Sequence, residues 1–459
     1  MPHVHLIGAG GIGVSAIGRY YASLGWTVSG SDTVSSTITE ALEREGIHTV
    51  IGHSVDNLPL HTDLVVHTES IFIAAKGVSH SEASSSNPEL MAAKERGLKI
   101  ESYPQALASI TNSQRQIAVT GSHGKSSTTS LIGVMLQGST IGGSTIVGTQ
   151  LAQFGGTNYF HDVRSDWFAI EACEYKRHFL EYTPEITVIT NIDLDHLDYY
   201  RDRDDYISAF VSLIARTRRA VVLSREDIGC QDLYARVTEG DRARLEWYWV
   251  DMESMQCGEL TDSIVSTSEN MGDRESTVKV EGHTGGFGEP RESVGEPVVQ
   301  IPFLALQVPG EHLRLDANLA YTVGEIIGIP ESERIEGLTG YRGSWRRSEI
   351  VGVTLAGNTV ISDYGHHPSE IRPTLAALRA KYSGSELVVV FQPHQHSRTR
   401  GLLDEFATAF TDADRLIIPD IYASRDTPED IAYMTTARFV ATVGEHHSNI
   451  IDGGGLAGT

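Results

Sequence analysis

The sequence predicts an α/β protein of consecutive domains, each with helices packed on a mostly parallel sheet. Three observations lead there: a glycine-rich turn joins an apolar strand to a helix at the N-terminus, a second such turn recurs at Gly121, and a third alternating block of strands and helices begins near Gly337. At 459 residues, 40% of them apolar, the chain is too long for one ordinary core and has material for two or three.

The first block reads as a strand from His3 to Ile7, the turn Gly8-Ala9-Gly10-Gly11-Ile12-Gly13, a helix from Val14 to Leu24, and a strand from Thr27 to Gly30 closing on Ser31 and Asp32. In such a βαβ unit, Gly8, Gly10, Gly11 and Gly13, with Ile12, allow the backbone to approach a diphosphate closely. Asp32, 19 residues after Gly13, stands where an acid commonly meets a ribose or base. Taken alone, this unit suggests a nicotinamide dehydrogenase. A helix from Pro88 to Arg96 follows, and the polar link Ile110-Thr111-Asn112-Ser113-Gln114 sets a boundary near 112.

The second block opens with a strand from Gln116 to Thr120 and the run Gly121-Ser122-His123-Gly124-Lys125-Ser126-Ser127, followed by a helix-forming segment from Ser130 to Leu136. Backbone N–H groups of such a turn converge on phosphate oxygens, Lys125 adds charge, and the Ser126 hydroxyl can ligate magnesium, so the chain is expected to use ATP. The chain has only seven lysines, which makes one at this junction informative. Strands are read at Trp167 to Ile170, Ile186 to Thr190 and Ala220 to Leu223, with a helix from Asp204 to Arg216. Glu171 ends the first of these, and Asn191-Ile192-Asp193-Leu194-Asp195-His196 follows the second, so an acid and a histidine are brought to adjacent strand ends. The stretch 252–296, polar and acidic, reads as a surface insertion.

In the third block, strands from Thr359 to Ser362, Leu387 to Phe391 and Leu416 to Ile418 alternate with helices from Pro368 to Lys381 and from Leu402 to Phe410. Ligands of open α/β sheets gather at strand carboxyl ends, where Asp363, His366, His367, His394 and Arg398 fall. The division is thus 1–112, 113–335 and 336–459.

A net charge of −24 argues against nucleic acid and anionic membrane surfaces as partners. Cys173, Cys230 and Cys257 are scattered and odd in number, which suggests neither a disulfide framework nor a zinc ribbon and points to a reducing cytoplasm. No signal peptide or apolar run long enough to span a bilayer is read in the sequence.

The two glycine loops, Glu171-Ala172-Cys173-Glu174-Tyr175, Thr190 to His196, Tyr341-Arg342-Gly343-Ser344-Trp345-Arg346-Arg347, Asp363 to Pro368 and His394-Gln395-His396-Ser397-Arg398-Thr399 together resemble the Mur ligases of peptidoglycan precursor synthesis over nearly the whole chain. The resemblance implies an N-terminal Rossmann-like domain for a uridine diphosphate sugar, a central P-loop-type ATPase and a C-terminal Rossmann-like domain that closes over the site. It reassigns the first glycine loop, with Ser31 and Asp32, to UDP-N-acetylmuramate. Its implied activity is ATP-dependent attachment of L-alanine to the lactyl carboxylate of that nucleotide through an acyl phosphate. Carried over by motif position, Lys125 binds the β- and γ-phosphates, Ser126 and Glu171 hold one magnesium, and Glu171 with His196 a second. Arg346 or Arg347 clamps the transferred phosphoryl group. Asn191, His312 and Asp363 belong to the nucleotide side, and His366, His367, His394 and Arg398 to the amino-acid side, with Arg398 a carboxylate partner.

Three departures from the family pattern stand out. The family's Gly-x-His-Asn-x-x-Asn is Gly310-Glu311-His312-Leu313-Arg314-Leu315-Asp316, which puts the adenine contacts in question; a usual His-Arg is His394-Gln395; and relatives continue through a further strand and helix, so the last domain is expected to be incomplete. The alternatives are a murein-peptide recycling ligase that joins a tripeptide to the same nucleotide, and a UDP-sugar-binding fragment without turnover. A dehydrogenase would leave Lys125, Glu171 and His196 without roles.

Overall fold

The computed structural model describes residues 1–72, 87–196, 199–252, 301–302, 304, 306–308, 311–345, 347–423 and 426–455. Arg346 and nearly all of the polar stretch 252–296 lie outside the described residues, as does the side chain of His312 in helix Glu311–Ile326. No described helix is long and apolar enough to cross a membrane.

Five parallel strands, β1 (His3–Ile7), β2 (Thr27–Asp32), β3 (His48–Ile51), β4 (Leu64–His67) and β5 (Lys99–Ser102), form a sheet of order β3-β2-β1-β4-β5. The order reverses at β1, so the glycine turn that follows it opens at the switch point, where a parallel sheet leaves a crevice. The helix after this turn spans Ile12–Ser23 and starts inside the glycine run, two residues before the expected Val14.

The second sheet holds β6 (Arg115–Thr120), β7 (Ser144–Leu151), β8 (Thr157–Phe160), β9 (Trp167–Glu171), β10 (Ile186–Ile189), β11 (Ala220–Ser224) and β12 (Glu246–Val250) in the order β12-β11-β10-β6-β9-β7-β8. All pairs are parallel except the β7–β8 hairpin, which was not read from the sequence. β6 lies between β10 and β9, so its phosphate loop is flanked by Asn191–His196 on one side and Glu171 on the other. The helix after the loop runs Lys125–Gly138, beginning five residues before the expected segment: Gly124, at φ 79°, makes the entry turn and the serines that follow are carried into the first helical turns. The link at 110–114 is shorter than expected, because helix Tyr103–Thr111 extends into it.

The third region has an antiparallel pair, β13 (Glu349–Val353) with β14 (Thr359–Ser362), and a parallel sheet of order β15 (Val388–Val390), β16 (Arg415–Pro419), β17 (Ile450–Gly454). The segment expected as a loop around His396 is instead a short helix, His396–Gly401, followed by Leu403–Ala407 in place of one longer helix.

Alternation along the strands builds two faces: Ile117 and Val119 of β6 pack with Leu131, Met135, Val188 and Leu319, whereas Ala118 faces the opposite core. That opposite core is continuous with the first sheet, joining Val4, Leu6 and Ile17 to Phe168, Ile170 and Phe210. The third region buries its own cluster of Phe391, Phe406, Phe410, Leu416, Ile418 and Phe439.

Candidate active site

The phosphate loop is tied by hydrogen bonds to the segment after β10. Thr190 Oγ1 donates to the His123 carbonyl (2.5 Å), Asn191 Oδ1 accepts the His123 N–H (2.9 Å), and Asn191 Nδ2 donates to the His123 carbonyl (3.1 Å). Gly121 permits this approach: with φ at 129°, a Cβ there would stand 2.2 Å from Thr190 Oγ1. The Ser122 hydroxyl fastens the loop, donating to the Asp193 carbonyl (2.5 Å) while accepting the Asp193 N–H (2.9 Å) and lying 2.9 Å from the Tyr206 hydroxyl. Ser126 and Ser127 are buried in the first turn of helix Lys125–Gly138.

Lys125 reaches back over the loop, its Nζ donating to the carbonyls of Gly121 (2.5 Å) and Ser122 (3.0 Å) and to Glu174 Oε1 (3.1 Å). Glu174 also receives His196 Nε2 at 3.2 Å and is fully buried. Burial works against both charges, yet each holds the other: Lys125 stays above its ordinary value because of Glu174, and Glu174 below its own because of Lys125 and His196. His196 sits at φ 56°, a left-handed conformation that a non-glycine residue holds only under the constraint of its surroundings, here Glu174, Asp195 and the Tyr175 ring at 4.8 Å.

Glu171, at the end of β9, accepts the Gly148 N–H (2.9 Å) and leaves no room for a Cβ there, with Oε2 only 2.7 Å from that point. In this arrangement Glu174, the fourth residue of the Glu171-to-Tyr175 motif, is the acid that pairs with both Lys125 and His196. Among the described residues no three His, Cys, Asp or Glu donors converge as a metal cage. The donor chemistry nevertheless suits magnesium. Ser126 and Glu171 offer oxygen ligands, and Glu174 Oε2 is buried without a hydrogen-bond partner among the described residues, an orphaned anionic oxygen that a cation would satisfy.

From the third region, Arg398 approaches Asp195 (3.7 Å), and burial of that acid is outweighed by His196 and Arg398, which keep its carboxyl low. Arg347 approaches Glu370 (3.6 Å), with Asp363 and Glu171 also acting on its charge. Asp363 shapes its own loop, accepting N–H groups of Ser348 (2.7 Å) and Gly365 (2.7 Å). His366 and His367 were expected on the amino-acid side. His367 instead caps helix Pro368–Lys381 and lies with its ring 4.7 Å from that of His123, and burial together with His123 pushes it down to about 4, so it is neutral at pH 7. His366 stays beside Glu370 at 3.3 Å. His394 stacks on Tyr422 at 4.8 Å.

At the first glycine turn, Gly8 and Ala9 donate to the Ser31 carbonyl (2.8 and 2.9 Å), and Gly10 donates to Asp32 Oδ2 (2.8 Å). Ser31 was expected to touch the ligand, but it is fully buried and its hydroxyl donates to Glu89 Oε2 (2.5 Å), so it acts by shaping the turn. Glu89, which no motif signalled, also receives His5 (3.1 Å), Asn57 (2.8 Å) and the Ser54 N–H (3.2 Å). Gly13 abuts Tyr103, where a Cβ would lie 2.6 Å from the ring, and Asn158 of the β7–β8 hairpin donates to the Ile12 carbonyl and accepts from Arg19 (2.8 Å).

Comparison with known proteins agrees with this layout. Residues 3–115 match the model of the Mur ligase family catalytic domain, 119–244 the Mur ligase middle domain and 346–451 the Mur ligase glutamate ligase domain. The UDP-N-acetylmuramate–L-alanine ligase of Mycobacterium marinum is 35% identical over 437 residues, covering 93% of this chain and 83% of that protein. The same enzyme from Mycobacterium bovis strain BCG / Pasteur 1173P2 is 36% identical over 436 residues, covering 93% and 82%. In fold, the chain is similar to the UDP-N-acetylmuramate-alanine ligase MurC of Thermotoga maritima (TM-score 0.72, 23% identity, 99% of this chain and 91% of that one). It is also similar to a murein peptide ligase of Psychrobacter arcticus (TM-score 0.64, 19% identity, 98% and 91%). With a phosphate loop clasped between two strand ends, a lysine paired to a buried acid, and relatives matching along its length, this chain belongs to the Mur ligase family.

Proposed function

We propose that the protein ligates L-alanine to the lactyl carboxylate of UDP-N-acetylmuramate at the expense of ATP, in the cytoplasm, as a step of peptidoglycan precursor synthesis. The observation that carries this is the Lys125–Glu174–His196 cluster beside the phosphate loop, faced by Arg347 and Arg398 from the third region. The division at residues 112 and 335 assigns the sugar nucleotide to the first sheet, ATP to the second and closure to the third.

A carboxylate is a poor electrophile, so it must first be given a leaving group. The sugar nucleotide's diphosphate lies on the N-terminus of helix Ile12–Ser23, which directs its carboxylate toward the central crevice. That oxygen attacks the γ-phosphoryl of ATP, breaking the bond to ADP. The amine of L-alanine then attacks the acyl carbon and inorganic phosphate leaves. Lys125 supplies positive charge at the transferring group, and Arg347 adds its own from the opposite side. Ser126 and Glu171, joined by Glu174 or His196, would hold magnesium, which when bound screens the repulsion between the two anions. Arg398 offers a fork for the alanine carboxylate.

The test is phosphate release from ATP with UDP-N-acetylmuramate while the amino acid is varied across L-alanine, glycine, L-serine and the recycling tripeptide. Release dependent on L-alanine and lost in Lys125→Ala is the expected result. Release with the tripeptide alone would select a recycling ligase, and a fully active Lys125→Ala enzyme would remove the proposal.

A further inference from the structure

Glu370 stands where the third region meets the phosphate loop. As the third residue of helix Pro368–Lys381, its Oε2 accepts the N–H groups of His366 (3.0 Å) and His367 (3.3 Å), completing a capping box. A cap uses one oxygen. The other, Oε1, turns outward to His123 Nδ1 (3.4 Å) and the Arg347 guanidinium (3.6 Å). Burial works against this charge, but His123, His366 and Arg347 outweigh it and hold the carboxyl well below its usual range.

The two partners come from different regions, His123 from the turn after β6 and Arg347 from the segment before β13. His123 has its backbone fixed by Thr190 and Asn191, so its ring is the part of the loop free to respond. The opposite ring atom, Nε2, is buried and has Asp193 Oδ2 3.7 Å away, beyond hydrogen-bond reach, while His367 leans on the ring's face. A ring held at Nδ1 by Glu370 therefore presents Nε2 at a defined place beside the phosphate loop.

We propose that Glu370 is a positioning residue for phosphoryl transfer: its outward oxygen ties His123 to Arg347, so that docking of the third region on the phosphate loop and delivery of the arginine are one event. The inference rests on the ATP-dependent ligase reading. It differs from a helix-capping role, because capping engages only the inner oxygen.

Glu370→Gln separates the two, since the amide oxygen still accepts both capping N–H groups while the bridging charge is lost. Expected are a lower thermal midpoint at neutral pH, because the partly buried Arg347 loses its carboxylate partner, a kcat about 10- to 100-fold lower with KM for UDP-N-acetylmuramate within about twofold, and a moved His123 signal in nitrogen-15 spectra of histidine-labelled, nucleotide-free protein, identified by its loss in His123→Asn. Glu370→Asp, which keeps the charge, should restore part of the kcat. A His123 signal that stays in place, or kcat equal to wild type, overturns the inference. A wild-type protein that releases no phosphate with L-alanine, while the His123 signal still moves, refutes the ligase reading and leaves the bridge standing.

Discussion

Asp316 is the substitution most open to a quantitative test. It occupies the last position of the motif in which the family usually carries asparagine, and its Oδ1 accepts the Thr128 hydroxyl (3.0 Å) beside Gly124, whose Cβ, if present, would lie 2.6 Å from that oxygen. Burial raises this carboxyl from 3.8 to about 7, with Thr128 and Arg347 opposing the rise only in part. The folded state therefore holds the proton more tightly than the unfolded chain. The stability this contributes is present below about pH 4 and is lost as pH climbs to about 7. Integrated, the cost of the buried carboxylate is about 2 kcal/mol at pH 5 and about 4 kcal/mol at pH 8. Asp316→Asn keeps the acceptor and the shape but cannot ionise, so it should be more stable than the parent by those amounts, measured as thermal or urea midpoints across pH 5 to 8. An increment that does not change with pH would refute the reasoning.

Two further predictions concern buried acids that hold the site together. Glu174→Gln leaves Lys125 without its carboxylate partner in a dry setting, so both stability, by about 3 kcal/mol, and phosphate release should fall; a variant with parental midpoint and kcat would show the pair to be incidental. Glu89, held down to about 2 by His5, Ser31 and Asn57 against its burial, contributes stability that is complete above about pH 4.5 and fades as pH falls toward 2. Glu89→Gln should therefore lower the midpoint at pH 7 and raise KM for UDP-N-acetylmuramate, with the stability difference shrinking in acid.

The sequence exposed what is periodic or punctuated by glycine. β1, β6, β9 and β14 were legible because apolar runs end at chemically distinct loops, and the two glycine turns announced themselves by composition. Strand β7 was not read from the sequence: Gly148 and its threonines break up the apolar run, although Gly148 is there to admit Glu171. Among site residues, Lys125, Glu171 and His196 carried motif signals. Glu89 and Glu370 did not, and Glu174 stood in a motif without a role assigned to it, since a buried acid's part is recognisable only when its partners, drawn from elements up to 84 residues away in the case of His5, are brought beside it. Ser31 and Ser122 show the converse: hydroxyls next to phosphate-binding turns that spend their hydrogen bonds on the turns themselves.

The sharing of one apolar core between the first and second sheets has a consequence for how the chain comes apart. Val4, Leu6 and Ile17 pack in the same cluster as Phe168, Ile170 and Phe210, and Asn158 clasps the helix that follows the first glycine turn, whereas the third region keeps a separate cluster. Melting and proteolysis should therefore register two cooperative bodies rather than three. The larger body carries both glycine turns on one continuous core, so a disturbance of that core should be felt at both. The smaller one meets it in part through ionic contacts, Glu370 with His123 and Arg398 with Asp195, and those are the contacts that salt should weaken.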